Sequence, residues 1–226
     1  MPRAASAQRP ERGSPTPPAP REHGYSSEPE AIYARSFAII DAETDWTGVP
    51  DELRPVVRRM IHACGMTDIT RDLAWSDDVV AAATAAIARG APVVTDARMV
   101  AHGIIRSALP TGNDVRCVLD LVDVAPAGTT RSAAGIDAAA DALAGAVVAI
   151  GNAPTALFRL LERAREGAAL PAAVIGLPVG FVGAVESKQA LATEARFPFL
   201  TLHGRRGGSA MAAAAVNALA MAAVRT

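Results

Sequence analysis

The chain has 226 residues, 22 Lys and Arg against 23 Asp and Glu, a formal net charge of -1, and half of its residues are hydrophobic. That length suits one large domain or two small ones, and a single domain of this size buries roughly 70% of its unfolded surface. Near-neutral charge excludes the broad basic footprint of a nucleic-acid binder. The two cysteines, Cys64 and Cys117, supply neither a disulfide framework nor paired metal-ligand spacing, which fits a reducing cytoplasm.

Residues 1–24 hold much of the proline, mixed with Ser, Ala and charge, and read as a disordered Pro/Arg-rich tail with no secretory core. Residues 25–226 read as one α/β domain. Glu30 to Asp41 is an amphipathic segment with Tyr33, Phe37, Ile39 and Ile40, and it carries Arg35 and Ser36. A helix is predicted from Asp51 to Cys64, closed by Gly65 as a C-terminal cap. At 100° per residue its apolar stripe is Leu53, Val57, Met60, Ile61 and Cys64, and His62 falls opposite, beside Arg58 and Arg59. Asp72 to Arg89 reads as a further helix, Val115 to Val124 as a strand, and Thr129 to Leu143 as an alanine-rich helix.

Four apolar runs, Ala91–Val94, Ala146–Ile150, Ala172–Ile175 and Phe197–Leu202, each end in a loop rich in Gly, Asn, Pro or Arg that leads into a helical stretch. This alternation predicts a parallel sheet covered by helices on both faces. Ligands of such sheets bind outside the carboxyl ends of the strands, so the four loops should share one functional rim. The last helix, Ala210–Val224, is too short and too alanine-rich to span a bilayer.

His62 is the strongest single candidate for chemistry. Carbonyls at a helix C-terminus favour the imidazolium and the neighbouring arginines oppose it, which suits a proton donor near neutral pH. Cys64 reads as a small core residue. The loop Gly204-Arg205-Arg206-Gly207-Gly208-Ser209 can be read as an anion site or as a tight turn with solvated arginines, and both readings stay open. Gly151-Asn152-Ala153-Pro154 reads as a structural turn, and Lys188, the only lysine, as half of a local ion pair. His102 and His203 lack partner spacing, and no metal cluster is evident.

Several motifs together resemble one family. Arg59-Met60-Ile61-His62-Ala63-Cys64-Gly65, Gly90 to Ala97, Thr130-Arg131-Ser132-Ala133-Ala134, Gly151 to Phe158, Pro178 to Ala184 and Gly204 to Met211 are similar, in order, to those of precorrin-8X methylmutase, or cobalt-precorrin-8 methylmutase in the anaerobic route. The resemblance implies an isomerase of cobalamin biosynthesis that moves a methyl group from C11 to C12 of a corrinoid and needs no cofactor. It also implies a flavodoxin-like fold and a homodimer with interfacial sites.

By the same resemblance His62 is the proton donor and acceptor, Ser36 and Arg59 contact the substrate, and Arg131 lies in the pocket. Arg35 and Arg205 are expected to join Arg59 and Arg131 in holding peripheral carboxylates. Thr95, Thr130, Ser132, Asn152 and Gly204, all at the rim or in the matched motifs, complete the expected pocket. A non-catalytic corrinoid carrier is the alternative. A flavin- or nucleotide-binding module rests on fold analogy alone.

Overall fold

Continuous β-branched and alanine runs become strands when both of their faces are covered. In the computed structural model, which describes Ser27 to Val224, this holds for β2 (Val93–Thr95), β4 (Val147–Ile150), β5 (Ala173–Gly176) and β6 (Phe199–Leu202). Two further strands, β1 (Leu73–Trp75) and β3 (Val115–Cys117), complete a sheet of order β1-β6-β5-β4-β2-β3. The tail expected over residues 1–24 lies outside the described residues, as do Tyr25 and Ser26.

The helices are α1 (Pro29–Glu43), α2 (Arg54–Cys64), α3 (Val79–Ala88), α4 (Arg98–Gly103), α5 (Arg131–Ala138), α6 (Ala140–Leu143), α7 (Pro154–Arg165), α8 (Ala184–Glu194) and α9 (Ser209–Ala223). Alternate strand residues feed two separate cores. Val93, Val147, Ala149, Ile175 and Leu200 face α2, α3, α4 and α9. Val94, Val148, Ile150 and Val174 face α5, α6, α7 and α8. The two-residue side-chain period of a strand thus produces three layers. Helix α2 packs chiefly on α9, whose Ala212, Ala215 and Ala220 are fully buried and let the two helices approach closely. Among the described residues no helix is long and apolar enough to cross a membrane.

Four expectations need correction. The sheet is mixed, because β1 runs antiparallel to β6 at the edge, pairing Leu73 with Leu202 and Trp75 with Leu200. The helix expected from Asp72 therefore starts only at Val79, since the first residues are drawn into that ladder and Ser76 accepts the Phe199 amide through its hydroxyl. The strand expected to Val124 stops at Cys117, where the chain turns through Val118–Asp120, and the Arg131 guanidinium holds the Leu119 carbonyl of that turn and the Val122 carbonyl beyond it. The alanine-rich helix expected over Thr129–Leu143 is divided at Ala139 into α5 and α6.

The chain runs from β2 to β3 on one side and then returns to place β4 on the other. Strand order therefore reverses between β2 and β4, and the carboxyl ends of these strands open onto a topological switch point.

Candidate active site

His62 occupies the last turn of α2, and the left-handed Gly65 (φ 71°) caps that turn by donating its N–H to the Ile61 carbonyl at 2.7 Å. The helix buries Val56, Val57, Met60 and Ile61, so its phase leaves His62 exposed. What lies over the imidazole is α1. Tyr33 and Phe37, one helical turn apart, bring their rings to 5.5 Å from the imidazole, at 37° and 77° to its plane. Ser36, Ile39, Ile40 and Glu43 of α1 then face Ile61, His62, Gly65 and Thr67 across a cavity of about 250 Å³. Arg58 reaches Asp41 at 2.7 Å, and the guanidinium groups of Arg58 and Arg59 lie 5.9 and 5.5 Å from the Phe37 centroid. Arg59 opens on a different cavity, of about 400 Å³, with Pro55, Ala218 and Met221. Arg35 is exposed on α1.

The segment after α2 leads directly to the strand-end rim. Gly65 and Thr67 line the His62 cavity, while Met66 between them lines a second cavity of about 220 Å³ with Val179, Phe181, Arg205 and Arg206. Here the Arg205 guanidinium stacks 5.1 Å above the ring of Phe181, a side chain 82% exposed. Gly204 is in the left-handed region, at φ 80°, where the chain leaves β6. Arg206 turns the opposite way and pairs with Asp68 at 2.7 Å and with Asp72. The glycine loop is therefore a tight turn in which Arg205 is presented to solvent and Arg206 is tied to the chain after α2.

A third part of the rim is organised by Asp96, which follows β2 and is fully buried. Its carboxylate accepts the N–H of Gly151 at 2.8 Å on one oxygen, and those of Asn152 and Ala153 at 2.9 and 2.6 Å on the other. Burial pushes this carboxyl above the usual carboxylate range, and the three amides act against that shift. The amides at the start of α7, which would otherwise receive an anionic ligand, are thus already engaged by the chain's own carboxylate. Close by, the Thr130 hydroxyl caps α5 through the Ala133 amide and meets the Thr155 hydroxyl at 2.8 Å, beside a cavity of about 550 Å³.

The expected residues thus fall into three sectors. Ser36 and His62 share one cavity, Arg205 lines the neighbouring one, with Gly204 just before it in the chain, and Thr130, Ser132 and the exposed Asn152 lie at the starts of α5 and α7. Two further expected residues make their polar contacts within the chain. Thr95 is fully buried, with its hydroxyl 3.3 Å from the Ala97 and Arg116 carbonyls, and supports the rim from beneath. The half-buried Arg131 spends three hydrogen bonds on carbonyls of its own loop.

Lys188 is not a surface ion-pair partner of Glu186. The phase of α8 buries it with Ala184, Ser187 and Leu191, and its ammonium donates to the Arg206 carbonyl at 2.6 Å. Cys64 is half-buried at the edge of the core rather than inside it, and burial raises its thiol pKa. Residue reasoning missed Asp96 and the aromatic cover of His62. The i, i+4 spacing of Tyr33 and Phe37 is a signal that could have found the latter.

Comparison with known proteins shows the family. Residues 31–222 match the family model described as Precorrin-8X methylmutase. A precorrin-8X methylmutase from Sinorhizobium sp. is 52% identical over 204 residues, covering 88% of this chain and 97% of its own length. One from Pseudomonas aeruginosa is 53% identical over 202 residues, covering 87% and 97%. The crystal structure of a Thermus thermophilus precorrin-8x methyl mutase superposes with a TM-score of 0.79 at 40% identity, over 87% of this chain and 97% of that one. The chain belongs to the precorrin-8X methylmutase family and is an isomerase of cobalamin biosynthesis.

Proposed function

We propose that this enzyme moves a methyl group from C11 to C12 of precorrin-8X, or of its cobalt-containing counterpart, with His62 as proton donor and acceptor. The observation that carries the reading is the exposed imidazole of His62, clustered with the α1 aromatics Tyr33 and Phe37 beside a cavity that also holds Ser36. Protonation of the conjugated macrocycle withdraws electron density and lowers the barrier to migration. The same imidazole then takes the proton back, so the reaction is an isomerisation with no net proton change. Arg35, Arg59 and Arg205 supply guanidinium groups for peripheral carboxylates, and Ser36, Thr130, Ser132, Asn152 and Gly204 supply polar contacts around the ring. Val179 and Phe181, both exposed on the β5–α8 loop, offer apolar surface to the macrocycle face.

In this reading the site is completed by a second copy of the chain in a homodimer. Helix α1, which covers His62, leaves Ile32, Tyr33 and Ile39 each more than 40% exposed, apolar surface that a second copy can bury. The fold is of the flavodoxin-like kind, since the parallel strands follow the order β3-β2-β4-β5-β6. Its methylmutase domain runs over residues 25–226, and we infer a cytoplasmic location from the free thiols of Cys64 and Cys117. A phosphate-bearing flavin or nucleotide is disfavoured by Asp96, which fills the amide cradle at the switch point.

Conversion of precorrin-8X, followed by absorbance at substrate in large excess over protein, tests the reading. Complete conversion, with the migrated methyl found on C12 by NMR, is the expected result. A spectral change that stops at one equivalent per site would identify a carrier instead.

A further inference from the structure

The β6–α9 loop is held from three directions. From α8, the fully buried Lys188 donates to the Arg206 carbonyl at 2.6 Å. From the chain after α2, Asp68 and Asp72 pair with the Arg206 side chain. From the β5–α8 loop, Gly180 donates to the Arg205 carbonyl at 3.3 Å, and the Leu177 carbonyl accepts the Gly208 amide at 2.8 Å. Gly207 between them has no room for a side chain, since a Cβ there would run into the Leu177 and Pro178 carbonyls. With the backbone pinned on both sides of residue 206, the one long side chain left facing outward is Arg205, above the exposed Phe181.

Lys188 stands out because every other cation in this chain is an arginine and because its burial is costly. Loss of hydration lowers its pKa to about 8, opposed only by the charge of Asp72. A buried ammonium with one carbonyl partner contributes little net stability, and an apolar side chain of the same volume would serve the core equally well. What an apolar residue cannot do is fix the position of the Arg206 carbonyl.

We propose that Lys188 is a positioning residue for substrate binding, a latch beneath the β6–α9 loop that aims Arg205 at a peripheral carboxylate of the corrinoid. This rests on the reading of Arg205 as a carboxylate ligand. Lys188 itself touches no substrate. Its removal leaves His62 and the rate at saturation in place and acts on affinity.

The test is an absorbance titration of hydrogenobyrinate into wild type, K188M, R205A and the double variant, with kcat and KM for each. K188M and R205A should each weaken product binding roughly tenfold, the loss typical of a charge-assisted hydrogen bond. K188M should raise KM with kcat unchanged, and the double variant should bind no more weakly than R205A alone, because both changes remove one interaction. Wild-type affinity in K188M, or losses that multiply in the double variant, overturns the latch while leaving Arg205 as a ligand. Wild-type affinity in R205A overturns the reading of Arg205 and the latch with it. Should K188M fail to fold, R206M releases the loop from its exposed side, and it must show the same loss and the same non-additivity with R205A.

Discussion

Replacing Asp96 by Asn probes the switch point with the smallest change of shape. The carboxylate accepts three amides, one on one oxygen and two on the other. An amide side chain has a single oxygen, and its best orientation keeps that oxygen on Asn152 and Ala153 and turns its NH₂ toward the Gly151 N–H. Two donors then face each other in a fully buried place. The unpaired donor costs about 1–3 kcal/mol, and exchanging charge-assisted for neutral bonds at the other two amides costs about 1 kcal/mol more, giving a loss of about 2–4 kcal/mol. In a domain of this size each kcal/mol lowers Tm by about 2–4 °C, so D96N should melt roughly 5–15 °C below wild type. Thermal unfolding followed by circular dichroism measures this directly. A Tm within about 2 °C of wild type would refute the reasoning, since it would mean that the three amides do not depend on a carboxylate.

The depressed pKa of Lys188 makes a linked prediction. Between about pH 8 and the ordinary lysine value of 10.5 the unfolded chain binds more protons at this site than the folded one, so stability rises with pH across that window, and the full penalty is felt below it. The unfolding free energy of wild type minus that of K188M should therefore increase by about 2–3 kcal/mol from pH 7 to pH 10. The subtraction cancels Cys64 and Cys117, whose raised thiol pKa values act in the opposite sense; a flat difference would contradict the burial of the ammonium. G207A must displace the Leu177 and Pro178 carbonyls, and should cost about 1–3 kcal/mol in urea unfolding together with a raised KM. Wild-type values for both would show that the loop has slack.

Much of this was legible from residue order because it depends on local pattern. Val147 to Ile150 is apolar on both pleat faces and could only be an interior strand, and the wheel of Arg54–Cys64 already turned His62 away from the core. Leu73–Trp75 was not legible as a strand, because three residues show no period and their ladder lies on β6, more than a hundred residues away. The same applies to Asp96 and Lys188. The alternation in α8 marks Lys188 as inward-facing, yet its carbonyl partner sits 18 residues on, and the amides that hold Asp96 lie 55 to 57 residues on. Helical phase says which way a side chain points; only the assembled sheet says what it meets.

The central claim is that the imidazole of His62 carries the proton of the methyl shift. H62A, assayed for single-turnover conversion of precorrin-8X alongside titration with hydrogenobyrinate, tests it most directly. The account predicts conversion reduced by at least about a hundredfold, in keeping with the loss of a general acid, with product affinity within a few-fold of wild type. Conversion at the wild-type rate would contradict it.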